Sequence, residues 1–204
     1  MDNKEILDKV NKYYTEKIIQ HGTTPKGVDW NGQESQYLRF EQLCKVIGLN
    51  DFSVLDYGCG FGSLYKFLEA KNFLFQYFGY DISDEMIAQA SLSGLKNASW
   101  LTALPSQQHF DYVVASGIFN VKLETNEEDW LIFIKKELDT LNQLANKGFS
   151  FNMLTSYSDK PLMKDYLYYA SPEYFFKYCK ENCSKNVAIL HDYNLYEFTI
   201  IVKK

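Results

Sequence analysis

The chain begins with two stretches whose apolar residues recur every three to four positions. The first covers residues 2–20, and the second runs from Gln33 to Ile47. A polar segment with two glycines and a proline, residues 23–32, separates them. This pattern predicts an N-terminal helical cap over residues 1–48.

From Phe52 onward, short apolar runs alternate with amphipathic helical patterns. The helical patterns start after Gly62, at Ser83, at a capping box in residues 125–128, and at Ser171 followed by Pro172. The predicted strands are residues 52–56, 73–80, 98–101, 110–115, 149–154, 187–190 and 195–202. Alternating strands and helices predict a parallel sheet covered on both faces. The last two strands are too close for a helical crossover and must form an antiparallel hairpin.

Charge and cysteine content exclude several classes of protein. The formal net charge of −5 argues against a protein that binds nucleic acid through its phosphates. No apolar run is long enough for a membrane span, and the N-terminus is too polar for a secretory signal. The four cysteines form no CxxC pair or Cys/His cluster, so no metal site is expected. We therefore expect one cytoplasmic, reduced domain over residues 1–204, with no nucleic-acid or membrane partner.

A glycine-rich turn after the first predicted strand carries the chemistry. Gly58, Gly60 and Gly62 lie between a strand and a helix, where bare backbone amides can approach a ligand. A dinucleotide-binding turn needs G-x-G-x-x-G, but Ser63 stands where the third glycine belongs. Asp56, two residues before the first glycine, would repel a pyrophosphate and suits a cationic amine.

A second acid ends the next predicted strand. Asp81 follows Gly62 by 19 residues, and an acid at this position can accept hydrogen bonds from both hydroxyls of a ribose. One carboxylate for an amine and one for a ribose fit S-adenosylmethionine better than NAD. A nicotinamide-dependent oxidoreductase and a non-catalytic S-adenosylmethionine-binding module remain as alternatives.

The sequence resembles the class I S-adenosylmethionine-dependent methyltransferases in three stretches: VLDYGCGFG (54–62), FGYDIS (78–83) with Met86, and FDYVVASGIFN (110–120). The resemblance covers residues 50–204. It implies a three-layer, Rossmann-like α/β fold with a seven-stranded, mostly parallel sheet that ends in an antiparallel hairpin. It also implies S-adenosylmethionine as the cofactor, with these candidate binding residues: Asp56, Gly58, Cys59, Gly60, Gly62, Asp81, Ile82, Met86, Leu101, Thr102 and Ser116.

The chain departs from the family at one point. Many members carry an acid after the third strand that contacts the adenine amine, whereas this chain reads Trp100-Leu101-Thr102-Ala103. Thr102, Leu101 or backbone groups would have to take that contact.

The acceptor is predicted from motifs that the chain lacks. The fourth strand is not followed by the Asn/Asp-Pro-Pro-Tyr/Phe of enzymes that methylate amino groups of adenine or glutamine, and no Pro-Cys offers a nucleophile. Together with the acidic charge, this indicates a small molecule or a glycan intermediate. We expect O-methylation because that chemistry is common.

Candidate catalytic and acceptor-binding residues flank the predicted core. His21 and His191 are the candidate general bases. The candidate acceptor-binding residues are Tyr14, Trp30, Arg39, Tyr168 and Tyr169. Structural alternatives stay open: Arg39 can pair with Glu34 or Glu41, and His191 can simply fill the turn of the hairpin.

Overall fold

The computed structural model describes residues 2–24, 27 and 32–204. Its helices are α1 (Asn3–His21), α2 (Gln33–Leu43), α3 (Ser63–Ala70), α4 (Asp84–Leu92), α5 (Glu127–Leu144) and α6 (Pro172–Asn182). Its strands are β1 (Asp51–Tyr57), β2 (Leu74–Tyr80), β3 (Ala98–Leu101), β4 (Phe110–Ala115), β5 (Ala145–Leu154), β6 (Asn186–Leu190) and β7 (Glu197–Lys203).

The seven strands form a single mixed sheet in the order β3-β2-β1-β4-β5-β7-β6. The β1, β2, β3, β4 and β5 pairings are parallel, whereas β7 pairs antiparallel with both β5 and β6. The predicted α/β fold with a terminal antiparallel hairpin is therefore confirmed. The strand order reverses between β1 and β4, which is the position where ligands bind in open sheets of this type.

Two apolar clusters cover the two faces of the sheet. One cluster combines sheet residues with buried side chains of α5 and α6, including Trp130 and Phe175. The other combines sheet residues with α2 and α3, including Phe40 and Leu64. The result is the expected three-layer arrangement, with the sheet between two layers of helices.

Helix α1 packs against the α5 side of the core, whereas the segment between β3 and β4 contributes no helix to the structure. Residues 102–109, which connect these strands, contain no helix. Ile6 and Val10 of α1 are buried in the same cluster as Trp130 and Phe133 of α5. Thr15 on the same helix lies 3.0 Å from Ser83, the cap of α4. The N-terminal helix is thus packed into the core beside the strand ends that carry the glycine turn.

Several element boundaries differ from the sequence expectation. The N-cap of α5 is Asn126, whose side chain accepts from the Asp129 amide at 2.9 Å, whereas Thr125, the first residue of the predicted capping box, is buried one position earlier. Helix α5 leads directly into β5 at Ala145, so this strand begins before the predicted start at residue 149 and includes Gly148. A Cβ on Gly148 would lie 2.5 Å from the Val202 carbonyl oxygen, so close strand packing requires glycine there.

Within the described part of the chain, no helix combines the length and apolar character needed to cross a membrane.

The burial of α1 can be tested with two isoleucines on that helix. The side chain of Ile6 is 1% exposed and that of Ile19 is 74% exposed. We expect Ile6→Ala to lower the free energy of unfolding by about 2–5 kcal/mol, because it leaves a cavity in the core. Ile19→Ala, the matched control, should change it by less than about 0.5 kcal/mol. Urea unfolding measures both, and equal effects would contradict the packing of α1.

Candidate active site

The glycine turn connects β1 to α3 at the carboxyl edge of the sheet. Gly58 has φ 80° and a Cβ there would lie 2.4 Å from Ile118 Cγ2. Gly62, the N-cap of α3, has φ 83° and a Cβ there would lie 2.4 Å from the Trp100 ring. Both positions therefore require glycine for backbone conformation and for space. Gly58 keeps the turn close to the loop after β4, whereas Gly62 accommodates Trp100.

Asp56, at the end of β1, is a buried carboxyl that accepts a hydrogen bond from one tyrosine. Its side chain is 3% exposed, and its Oδ2 accepts from the Tyr77 hydroxyl at 2.5 Å. Burial raises the pKa of Asp56 to about 7, opposed by the Tyr77 hydrogen bond and reinforced by the nearby Asp81 charge. No lysine, arginine or histidine in the described ranges forms an ion pair with it. A cationic ligand group would compensate the cost of ionising this carboxyl.

Asp81 ties the end of β2 to the glycine turn. Its Oδ2 accepts from the Gly60 amide at 2.8 Å, and its Oδ1 accepts from the Ser83 amide at 2.9 Å. Burial raises the pKa of the Asp81 carboxyl, although these backbone hydrogen bonds oppose the shift. The two bonds orient the carboxylate at the carboxyl edge of the sheet beside Asp56.

The loop after β4 adds a buried polar atom that has no protein partner in the described residues. The Ser116 hydroxyl oxygen is inaccessible to water and makes no hydrogen bond there. The next amide, that of Gly117, donates to Asn152 Oδ1 at 2.8 Å, which holds the loop against β5. Because an unsatisfied buried hydroxyl is costly, Ser116 is a candidate for a contact with a bound ligand.

These groups converge on one cavity between the carboxyl edge of the sheet and the two N-terminal helices. Leu7, Val10 and Tyr14 of α1, with Gln36 and Phe40 of α2, form its outer wall. Nine of the residues predicted from the sequence line this cavity: Tyr14, Asp56, Gly58, Cys59, Gly60, Asp81, Ile82, Met86 and Ser116. Burial, together with the Asp56 and Asp81 charges, raises the pKa of the Cys59 thiol well above its usual range, so this cysteine is an unreactive wall residue.

Three predicted cofactor residues, Gly62, Leu101 and Thr102, do not line the cavity. Gly62 packs under Trp100, as described above. The Leu101 carbonyl accepts from the Asp81 amide at 3.4 Å, so its backbone supports that acid. Thr102 is exposed in the loop that follows β3. Neither Leu101 nor Thr102 lines the cavity.

Arg39 lies in a buried ion pair, not in the cavity wall. Its guanidinium donates to both carboxylate oxygens of Glu197 at 2.5–2.9 Å. Glu197 also accepts from the Asn152 amide nitrogen at 2.5 Å, and Asn152 accepts from Gly117. The structure thus places Arg39 where it fixes α2 to β7 and, through Asn152, supports the loop that carries Ser116.

The remaining predicted residues that the structure describes are not brought to the cavity. His21 lies in the last turn of α1, and His191 is exposed beyond β6, three strands away from β4. Tyr168 and Tyr169 lie in the segment before α6, where the Tyr168 amide donates to Asn120 O and the Tyr169 hydroxyl accepts from the Lys164 amide. Trp30, with Asp29 and Asn31 of the same predicted loop, lies outside the described residues. In the described part of the chain, no group of three or more acids, histidines and cysteines has the arrangement of a metal site.

Sequence reasoning missed two polar cavity residues that contact each other. The Tyr57 hydroxyl donates to Glu137 Oε2 at 2.5 Å, and both side chains line the cavity. Tyr57 is adjacent to Asp56 in the first motif but has no obvious polar role there. One feature of the sequence could have indicated that Glu137 faces inward. Helical spacing places it on the same face of α5 as the buried residues Phe133, Ile134 and Leu141.

Comparisons with known proteins agree with this arrangement. A family model described as a methyltransferase domain matches residues 55–140. The protein Rv1506c of Mycobacterium tuberculosis, provisionally named a methyltransferase, is 50% identical over 161 residues, covering 78% of this chain and 97% of that protein. The chain belongs to the class I S-adenosylmethionine-dependent methyltransferases.

Solved structures show the same fold as this methyltransferase at low sequence identity. The DhpI–SAH complex has a TM-score of 0.65 at 14% identity, covering 97% of this chain and 96% of that one. The 1,6-didemethyltoxoflavin-N1-methyltransferase of Burkholderia thailandensis has a TM-score of 0.65 at 13% identity, covering 100% and 91%. Several of these structures hold S-adenosylmethionine or S-adenosylhomocysteine, in agreement with the predicted cofactor.

The raised pKa of Asp56 makes cofactor affinity depend on pH. An ammonium group forms an ion pair only with the ionised carboxyl. Below pH 7, Asp56 must therefore lose its proton before the ligand can bind in this way. We expect the dissociation constant of S-adenosylhomocysteine to rise roughly tenfold between pH 7.5 and pH 6, and to be level above pH 7.5. Titration calorimetry at each pH measures the constant.

Two asparagine variants serve as controls for this pH dependence. Asp56→Asn should bind weakly at every pH, whereas Asp51→Asn, at the exposed start of the same strand, should keep the wild-type profile. Because the folded carboxyl has a raised pKa, it destabilises the ligand-free protein increasingly as pH rises from 4 to 7. Asp56→Asn should therefore unfold at a higher temperature than wild type at pH 8. A flat wild-type profile would show that Asp56 does not pair with the ammonium group.

Proposed function

We propose that this methyltransferase transfers the sulfonium methyl of S-adenosylmethionine to an oxygen of a small molecule. The observation that carries the proposal is that two carboxyls, the buried Asp56 and the half-buried Asp81, line one cavity beside the glycine turn, whose Gly60 amide donates to Asp81. Buried acids without a cationic protein partner in the described residues suit a ligand that brings its own cation and hydroxyl donors.

The cavity residues divide between the parts of the cofactor. Asp56 would accept from the ammonium group, and Asp81 would accept from the ribose hydroxyls. Ile82 and Met86, which follow Asp81 along the chain, would pack against the base. The Ser116 hydroxyl, buried without a protein partner among the described residues, would gain one in the ligand. When bound, S-adenosylmethionine supplies an electrophilic methyl group.

The outer wall of the cavity supports a small, partly apolar acceptor. Leu7, Val10 and Phe40 offer apolar surface, while Tyr14 and Gln36 add polar groups that can orient a hydroxyl. The structural neighbours include methyltransferases named for 1,6-didemethyltoxoflavin and for plantazolicin. These features favour a small molecule, and a short saccharide remains within the same proposal.

Catalysis would come from positioning rather than from a dedicated base. In the described structure, neither His21 nor His191 lines the cavity. Helices α1 and α2 cover the carboxyl edge of the sheet, where they would exclude water and hold the acceptor oxygen in line with the methyl group. Such positioning supplies a large part of the rate enhancement of bimolecular reactions in enzymes.

An acceptor screen tests this proposal. The protein is incubated with S-adenosylmethionine carrying a ¹³C-methyl group and with panels of phenols, alcohols, sugars, heterocyclic amines, peptides and RNA. We expect methyl transfer to at least one phenol, alcohol or sugar, with a product carbon in the O-methyl region of the NMR spectrum. Transfer confined to amines, peptides or RNA would contradict the proposal.

The α1 wall offers matched variants once an acceptor is found. Tyr14 lines the cavity, whereas the adjacent Tyr13 does not. We expect Tyr14→Ala to lower kcat/KM for the acceptor by on the order of tenfold or more, and Tyr13→Ala to change it little. Steady-state kinetics at saturating cofactor measures both. Equal losses would place the acceptor elsewhere.

A further inference from the structure

Glu137 is a half-buried acid that lines the cavity and accepts a hydrogen bond from a neutral tyrosine hydroxyl. The Tyr57 hydroxyl donates to its Oε2 at 2.5 Å, and no ion pair to Glu137 occurs among the described residues. Burial raises the pKa of the Glu137 carboxyl, although the Tyr57 hydrogen bond opposes the shift. Such a carboxyl has spare acceptor capacity, because one hydroxyl bond occupies only one of its lone pairs.

The location of Glu137 separates it from the two acids already assigned. Asp56 and Tyr57 are successive residues of β1, so their side chains leave opposite faces of the sheet. Asp56 accepts from the hydroxyl of Tyr77, a β2 residue whose side chain lies on the face covered by α3, whereas the Tyr57 hydroxyl donates to Glu137 on α5. Asp81 follows Tyr80, whose ring centroid lies 5.0 Å from that of Tyr57. A ligand that extends from Asp56 past Asp81 toward the α5 side therefore arrives at Tyr57, Tyr80 and Glu137.

The surroundings of Glu137 select an aromatic ring that carries an N–H donor. Tyr57, Tyr80, Ile82 and Phe133 provide flat and apolar surface around the carboxyl. A carboxylate accepts hydrogen bonds and donates none, so its partner must bring the hydrogen. Adenine meets both conditions with its ring and exocyclic amine. The groups expected to meet this amine, those of Leu101 and Thr102, do not line the cavity.

We propose that Glu137 accepts a hydrogen bond from the exocyclic amine of the cofactor's adenine, with Tyr57 as a positioning residue that fixes the carboxylate. The adenine contact then comes from α5 and not from the chain after β3. This inference rests on the methyltransferase cofactor and is independent of the identity of the acceptor.

The test replaces the amine of the ligand and the carboxylate of the protein in turn. Titration calorimetry compares S-adenosylhomocysteine with S-inosylhomocysteine, in which a carbonyl oxygen replaces the amine. Wild type should bind the adenosyl compound on the order of tenfold more tightly, because Glu137 would repel the inosyl carbonyl. Glu137→Gln should remove or invert this preference, since its amide donates to a carbonyl as readily as it accepts from an amine.

Matched variants separate this contact from a purely structural effect. Glu128→Gln, at the exposed start of α5, should keep the wild-type preference. Tyr57→Phe keeps the ring and removes the hydroxyl, so it should reduce the preference without abolishing it. Thermal unfolding of each variant reports whether the fold is retained.

The possible failures are distinguishable. An unchanged preference in Glu137→Gln overturns the inference while leaving the proposed function intact. Normal cofactor binding with a raised KM for the acceptor would place Glu137 in the acceptor site and overturn it as well. If wild type binds neither compound, the proposed function fails together with this inference.

Discussion

The site depends on a carboxyl that the fold buries at the end of its central strand. Asp56 lies between two parallel neighbours, β2 and β4, and is held by Tyr77 from the adjacent strand. Burial makes the ionised form unfavourable, which is why the pKa rises to about 7. The same burial lowers the stability of the ligand-free protein with an ionised Asp56 and strengthens the attraction of this anion for a cation.

The rest of the local structure positions the two loops that surround this carboxyl. The Gly60 amide donates to Asp81, and the Gly58 and Cys59 amides both donate to the Tyr80 carbonyl oxygen. The glycine turn is therefore hydrogen-bonded to the end of β2. On the other side, the Arg39–Glu197–Asn152 chain supports the Gly117 amide. The loop after β4 and the turn after β1 are therefore both positioned by residues distant in sequence.

Much of the fold was predictable because its signals are local. Strand and helix periodicity, the Ser83 and Ser171 caps and the short separation of the last two strands correctly indicated the element types and the terminal hairpin. The errors at α5 have physical causes. Asn126 rather than Thr125 caps the helix because its side chain accepts from the Asp129 amide, and the close approach of the Val202 carbonyl requires glycine at 148 within a strand.

The sequence by itself determined which edge of the sheet carries the cavity. Asp56, Gly58, Gly60, Asp81 and Ser116 lie at the carboxyl ends of parallel strands, which always meet along one edge of a sheet. Only the tertiary structure decided which distant residues complete the cavity. Arg39 forms a buried ion pair with Glu197, which lies 158 positions away in the sequence. Glu137 lies on the inner face of α5 and accepts a hydrogen bond from Tyr57, which lies 80 positions away. Such contacts depend on how helices pack across the sheet, and local patterns along a single chain do not encode that geometry.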